Sequence, residues 1–401
     1  MLIKNCKLII DGEEKIKDIL IENEKIVSIK DNISCENFSD EDVIDAEKNY
    51  VIPGVIDAHT HMRDPGLTHK EDFTTGSMAC AKGGVTTFFD MPNTVPNTIS
   101  VESLKEKKEM HRGKSYVDYG FWFGGSVRDN HEDVAKVQDE VVGTKVFMNV
   151  STGNMLVEDD RVLENIFKAS KIVGVHAEGE MVKKAINLSE KLDVPLYLCH
   201  LSLKEEVEYV REAKKKGLKV YGEVTPHHLF LNEKDVEKNP LLRMKPELKT
   251  AEDNEALWNG IIDGTIDTIG TDHAPHRIEE KKAKLTFGIP GVENSLEMML
   301  KGVKSGKISL EKLTEIMSKN QAKIFGLKNK GKIAEGYDAD LVIIDMNTDE
   351  IISDESVVSK CGWTPYANIE KGGKILTTIV RGNVVYNNGK FIEKKIGKEV
   401  I

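Results

Sequence analysis

The sequence predicts an α/β fold: a TIM-like (β/α)₈ barrel with a small β-sandwich domain formed by both termini. Three observations predict it. Eight short apolar, β-branched or aromatic runs recur through the middle of the chain, at 55–57, 86–90, 119–123, 145–148, 173–176, 196–200, 219–223 and 268–272. Charged, helix-like segments lie between most of them, among them 103–110, 180–192, 204–216 and 250–262. Both ends of the chain are instead β-rich and broken by turn signals. Runs that do not alternate apolar with polar residues suit strands buried on both faces. Crossover helices make such strands parallel, and eight of them suggest a barrel. A doubly wound open sheet is the alternative architecture.

Near the N-terminus, short strands are expected at 2–3, 7–10, 19–21 and 25–29, separated by turns such as Asp11-Gly12 and Glu22-Asn23. Near the C-terminus, the β-rich stretches are 339–344, 375–380 and 383–386, with turns at Gly336, Gly372-Gly373 and Asn388-Gly389. Residues 1–52 and 331–401 are therefore assigned to one composite β-sandwich domain, and 53–330 to the barrel. A length of 401 residues suits one large barrel with an appendage. No low-complexity segment or short-period repeat is present.

Composition narrows the class of function. Hydrophobic content of 39% beside 31% charged residues suits a soluble globular chain. A net charge of −11 argues against nucleic acid, which needs basic patches. It also makes any acidic substrate depend on local positive charge. No segment is long and apolar enough to span a membrane, and the opening 17 residues lack a signal-peptide core. Five cysteines, odd in number and widely spread, fit a reducing cytoplasm better than a disulfide framework.

The chemistry concentrates at the C-terminal ends of the eight runs, where barrel active sites are built. The first run leads into His59 and His61. In an extended chain, residues at i and i+2 point to the same side, so both imidazoles can reach one metal ion. Two such histidines alone could equally be surface residues. The later ends carry Asn93, Lys145, His176, His200, Glu223 and Asp272, with His273 and His276 following. Of eleven histidines, nine (all but His111 and His131) fall on or shortly after a strand end. Arg63, at the same parity as His59 and His61, adds a cation suited to an anionic substrate.

Four histidines, one aspartate and a bridging ligand would hold two divalent ions. Lys145 is the candidate bridge. An ammonium has donors but no acceptor, so it could bridge only after reacting with carbon dioxide to give a carbamate; otherwise it is a snorkelling or paired lysine. Asp272 suits both metal contact and proton transfer from an activated water, whose pKa a metal lowers to ~7. His227 and His228 are read as structural members of a Pro-His-His-Leu turn, His69 as the start of a helix, His273 as an orienting residue and Glu178 as a partner of the ligands.

The ordered motifs resemble the dihydroorotases of the amidohydrolase superfamily, which also includes hydantoinases and allantoinases. The resemblance rests on Pro53-Gly54-Val55-Ile56-Asp57-Ala58-His59-Thr60-His61, Asp64-Pro65-Gly66, Asp90-Met91-Pro92-Asn93-Thr94, Gly143-Thr144-Lys145-Val146-Phe147, His176-Ala177-Glu178, Cys199-His200-Leu201-Ser202, Gly270-Thr271-Asp272-His273-Ala274-Pro275-His276 and Gly288-Ile289-Pro290-Gly291. It implies that His59, His61 and Asp272 hold one Zn²⁺ and that His176 and His200 hold a second. Carboxylated Lys145 would bridge them, with CO₂ needed to form the carbamate. It further implies that Arg63, Asn93 and His276 hold a substrate carboxylate, and that Pro290 and Gly291 line the pocket. Cys199 and Glu223, with His59, match a third zinc site of some animal members. Their alternative reading is a small buried thiol and a paired carboxylate.

The activity implied is the reversible hydrolysis of L-dihydroorotate to N-carbamoyl-L-aspartate in de novo pyrimidine (UMP) synthesis, with Asp272 as general base and acid. Homo-oligomers or association with aspartate transcarbamoylase are also implied. A hydantoinase, dihydropyrimidinase or allantoinase activity, or a non-catalytic scaffold, is the alternative. Two departures stand out. Lys245 occupies a position where relatives often have a substrate-holding arginine, which Lys245 or Arg243 could replace. The segment 150–153, with Ser151 and Thr152 as possible donors, replaces a mobile loop.

Overall fold

In the computed structural model, which describes residues 1–151, 154–284 and 286–401, the eight apolar runs form eight parallel strands. They are Val55–Thr60, Val85–Asp90, Asp118–Gly124, Gly143–Phe147, Val173–His176, Leu196–Leu198, Val220–Val224 and Thr268–Ile269. Each pairs with its successor in chain order. Nearly every strand residue is buried, because helices cover the outside and side chains fill the inside; that is why these runs do not alternate.

The last strand is only two residues long, against five expected. Beyond Ile269 the chain leaves its neighbour and turns across the barrel mouth. The seam between last and first strands is closed by a bridge between Thr60 and His273 and by the His61 amide, which donates to the His273 carbonyl (2.8 Å).

The intervening helices begin where capping side chains dictate. Ser100 caps Val101–His111, Thr250 caps Ala251–Ile262 and Asp159 caps Asp160–Ala169. Thr250 therefore lies outside its helix, and the second helix starts two residues earlier than the charge pattern suggested. His69 does not start a helix. The helix is Phe73–Lys82, because Asp72 accepts from the amides of Thr74 and Thr75 and sets its first turn; His69 sits in the preceding turn against Glu280.

Both ends of the chain build one nine-stranded sheet. Its order is Lys390–Phe391, Asn383–Asn387, Lys374–Val380, Leu341–Asp345, Tyr50–Pro53, Leu2–Ile10, Glu13–Glu22 and Lys25–Lys30, with Val43–Asp45 also alongside Leu2–Ile10. The two short strands expected at the N-terminus are one strand, irregular between Ile3 and Cys6, where Asn5 adopts a left-handed φ of 54°. Ile3, Cys6, Ile19, Ile21, Ile26, Leu341, Ile343 and Ile379 form its core.

A buried ion cluster ties this sheet to the barrel. Lys330 Nζ lies 2.8 Å from Asp118, at the start of the third barrel strand, and 2.6 Å from Asp340, just before Leu341–Asp345. Arg381 also pairs with Asp118. Burial pushes the Lys330 ammonium down, but Asp340 and Asp118 hold it above its usual range, so it stays charged. Lys330→Met is expected to cost about 3–5 kcal/mol, since it leaves buried carboxylates facing each other. Denaturant unfolding checks this, and a loss near zero would show that Arg381 alone suffices.

Candidate metal centre

The strand ends converge on a small cavity lined by His59, His61, Lys145, Phe147, His176, His200 and Asp272, with Ser151, Lys245, Ala274, Phe287 and Gly288 at its mouth. The first strand delivers His59 from its interior and His61 just beyond its end. Asp272 follows the short eighth strand in a left-handed conformation (φ 45°), which swings its carboxylate toward both rings. Its Oδ1 lies 2.9 Å from His61 Nε2 and 3.3 Å from His59 Nε2. His200, also left-handed (φ 41°), brings Nε2 to 2.9 Å from His176 Nδ1.

The arrangement is short of hydrogen-bond partners. His176 Nε2 and His200 Nδ1 are buried without one. Burial pushes His61 down to about 4 and His176 down to about 3, and holds His200 well below its usual range. These rings are neutral at pH 7 and each offers a lone pair. Burial favours the neutral form of Asp272 too, but His59 and His61 hold its carboxyl well below the usual range, so it is ionised. Burial pushes His59 down, but Glu223, Cys199 and Asp272 hold it well above the usual range, so it would have to release a proton to bind a metal. With that proton gone, a buried carboxylate among imidazole lone pairs is a donor set suited to a divalent cation.

Two groups of ligand atoms lie within 4.8 Å of one another: His59, His200 and Asp272, and His59, Cys199 and Glu223. The first group straddles the two ion sites implied by the motifs. Lys145 is fully buried; its Nζ donates to Cys199 Sγ (2.8 Å) and stands 5.4 Å from the Phe147 ring centroid. No carboxylate among the described residues is within ion-pairing distance of it. Glu223 receives the His59 ring nitrogen Nδ1 at 2.7 Å, the His200 amide at 3.0 Å and the Tyr197 hydroxyl at 2.8 Å. It thus orients two of the histidines.

A cationic flank adjoins this cluster. Arg63, with φ 60°, donates from Nε to the Pro275 carbonyl (3.2 Å) and places Nη2 3.1 Å from His276 Nε2. Asn93 Oδ1 lies 2.7 Å from His61 Nδ1, on the side of the ring away from Asp272. Pro290 and Gly291 are not among the cavity-lining residues; Phe287 and Gly288 are. Gly288 (φ 122°) brings the backbone so close that a Cβ would meet the Ala274 carbonyl at 2.8 Å, while the Gly291 amide donates to His273 Nδ1 (3.1 Å) behind the wall.

The remaining residues fall as follows. Lys245, not Arg243, faces the cavity, bonded to Glu247 and 5.0 Å from the Phe287 ring centroid. Ser151 lines the cavity, whereas residues 152 and 153 lie outside the described residues. Glu178 approaches His176 only to 4.0 Å. His228 is held by Thr225 and the Pro246 carbonyl, while His227 is buried with neither ring nitrogen bonded.

Sequence reasoning gave no role to Asp57. It is buried, and burial pushes its carboxyl up to about 6. Its Oδ1 accepts the amides of His59 and Thr271 (3.1 Å each), and its Oδ2 accepts the Thr271 hydroxyl (2.6 Å). It locks the first strand's ligands to the eighth's. Its position two residues before His59, at the same parity, was the available signal. Asp57→Ala is expected to cost about 3 kcal/mol in stability and about 10–100-fold in zinc affinity. Unfolding and a chelator-competition titration read the two effects. Unchanged zinc affinity would remove Asp57 from the site's support.

Residues 50–385 match the Amidohydrolase family model. The chain is similar to a protein named dihydroorotase from Methanosphaera stadtmanae, 35% identical and covering 96% of each chain. It is also 36% identical to a dihydroorotase from Pyrococcus abyssi, over 98% of this chain and 95% of that one. Among solved structures, it is similar to an L-hydantoinase (dihydropyrimidinase) from Arthrobacter aurescens, with a TM-score of 0.94, 30% identity and coverage of 100% and 99%. The chain belongs to the amidohydrolase family.

Proposed function

We propose that this chain catalyses the reversible hydrolysis of L-dihydroorotate to N-carbamoyl-L-aspartate. We propose too that its cluster holds two zinc ions: His59, His61 and Asp272 on one, His176 and His200 on the other, with Lys145 between them as a carbamate formed from CO₂. The observation that carries the reading is the Arg63–His276 flank set beside the His–Asp cluster. A cyclic amide needs the cluster; only a ring bearing a carboxylate needs the flank. The unpartnered nitrogens of His176 and His200, and a buried Lys145 with no carboxylate partner, support the fit to cations and a carbamate.

Divalent ions held here would lower the pKa of water to ~7 and polarise an amide carbonyl. The chain's own residues do the rest. Asp272, ionised at neutral pH, accepts the proton of the attacking water and passes it to the departing ring nitrogen, as base and then acid. Arg63 and His276, with Asn93, grip the substrate carboxylate and so place the ring amide carbonyl beside the methylene over the cluster. Phe147 and Phe287 present apolar faces that shed water as the ring enters. Every residue in this reading comes from one chain; association with further copies or with aspartate transcarbamoylase is proposed from the resemblance alone.

A hydantoinase or dihydropyrimidinase activity is the second reading, favoured by the likeness to the Arthrobacter aurescens structure. Turnover of L-dihydroorotate, hydantoin, dihydrouracil and allantoin by the zinc-loaded protein separates them. Arg63→Ala is expected to lower kcat/KM for dihydroorotate by about a hundredfold or more and to leave any turnover of the carboxylate-free rings unchanged. Equal losses on all rings would contradict carboxylate recognition. Asp272→Asn is expected to reduce kcat by at least about a thousandfold with most zinc retained by metal analysis; near-normal turnover would sink its assigned role.

A further inference from the structure

The His276 ring is pinned between two cations. Its Nε2 lies 3.1 Å from Arg63 Nη2, and its Nδ1 lies 3.1 Å from Lys70 Nζ. A guanidinium and an ammonium are donors only, and a neutral imidazole has one lone pair. The ring is neutral, since burial, Arg63 and Lys70 all hold it far below its usual range. It can therefore accept from one cation only, and its remaining N–H must face the other.

The surroundings indicate which. Among the described residues, His276 Nδ1 is the acceptor nearest the Lys70 ammonium, whose side chain is 14% exposed, and Glu280 is a second, more distant partner. The nearest carboxylate, Glu280, stands 3.7 Å from Lys70 and 3.8 Å from His276, and is already engaged with His69 at 2.9 Å. Arg63 has a carbonyl at Pro275. Lys281, the other nearby cation, is spread over the carbonyls of Arg243, Thr286 and Gly288. Trp363 Nε1 donates to the His276 carbonyl (2.8 Å), which anchors the backbone; the ring also meets the Phe287 backbone, and Lys281 adds a third positive charge nearby.

We propose that Lys70 is a positioning residue for carboxylate recognition: it donates to His276 Nδ1, fixes the tautomer that carries hydrogen on Nε2, and so turns His276 into a donor aligned with Arg63. Two donors facing each other at 3.1 Å are then a gap that an anion fills, with a carboxylate oxygen accepting from both. This rests on the reading of a carboxylate-bearing substrate.

The test is steady-state kinetics on L-dihydroorotate with zinc-loaded Lys70→Met, Lys70→Arg, His276→Asn and the Lys70→Met/His276→Asn double variant. The expected result is a KM for Lys70→Met raised about tenfold with kcat within about threefold, and substantial rescue by Lys70→Arg. In the His276→Asn background, Lys70→Met adds nothing, because its effect passes through the ring. An unchanged KM in Lys70→Met overturns the proposal, as does an undiminished effect in the His276→Asn background. If Lys70→Met fails to fold, Lys70→Gln, which keeps an N–H donor, is measured instead and is expected to retain a KM within about threefold; a KM as high as that of His276→Asn overturns the tautomer role. Failure of the parent protein to turn over dihydroorotate would overturn the activity itself, which no result on Lys70 alone can do.

Discussion

Four imidazoles and one carboxylate buried around one small cavity cannot satisfy one another, and much of the surrounding structure holds them there. Asp272 serves His59 and His61 with the same oxygen, while His176 and His200 share one contact and leave one ring nitrogen each unbonded. Burial of such groups costs free energy unless they are paired or coordinate a metal. Divalent cations bound here would satisfy the lone pairs and the negative charge together. Lys145, a buried amine beside a thiol and an aromatic ring with no carboxylate in ion-pairing reach among the described residues, is the residue proposed to become the bridging oxygen donor.

Holding unsatisfied groups in place requires a scaffold that does not relax around them. Barrel closure supplies it. The eighth strand is too short to pair along the first, so the seam depends on Asp57, which joins the His59 amide to Thr271. Glu223 performs the matching task across the sixth and seventh strands, reaching His59, His200 and Tyr197 from one carboxylate. At the second strand's end Asp90 accepts the Met62 amide and pairs with buried Lys107, which sets the path of the chain from His61 into Arg63. The clustered histidines and the turn into Arg63 are thus braced by three buried carboxylates, Asp57, Glu223 and Asp90.

Much of this was legible in the sequence, and the failures have a common cause. Parallel strands buried on both faces leave apolar runs, and side chains at their C-terminal ends leave histidines after one strand after another, so the barrel, the cluster of strand-end histidines and Arg63 beside it could be read directly. Contacts between distant segments could not. Nothing near Lys70 in sequence announces His276, and nothing near Lys330 announces Asp118. Pro290 and Gly291 illustrate the limit of motif reading: the motif lies beside the cavity, but the backbone turns at Gly288 so that Phe287 and Gly288 form its wall. The eighth strand was read too long for the same reason, because its apolar run continues past the point where closure bends the chain away.

The account stands most directly on the ions. Crystals grown with zinc and bicarbonate, measured on both sides of the zinc absorption edge, give a decisive anomalous difference map. The expected result is two peaks, one beside His59, His61 and Asp272 and one beside His176 and His200, with density continuing from Lys145 Nζ between them. A single peak, or none, with Lys145 ending at a bare amine would contradict the account.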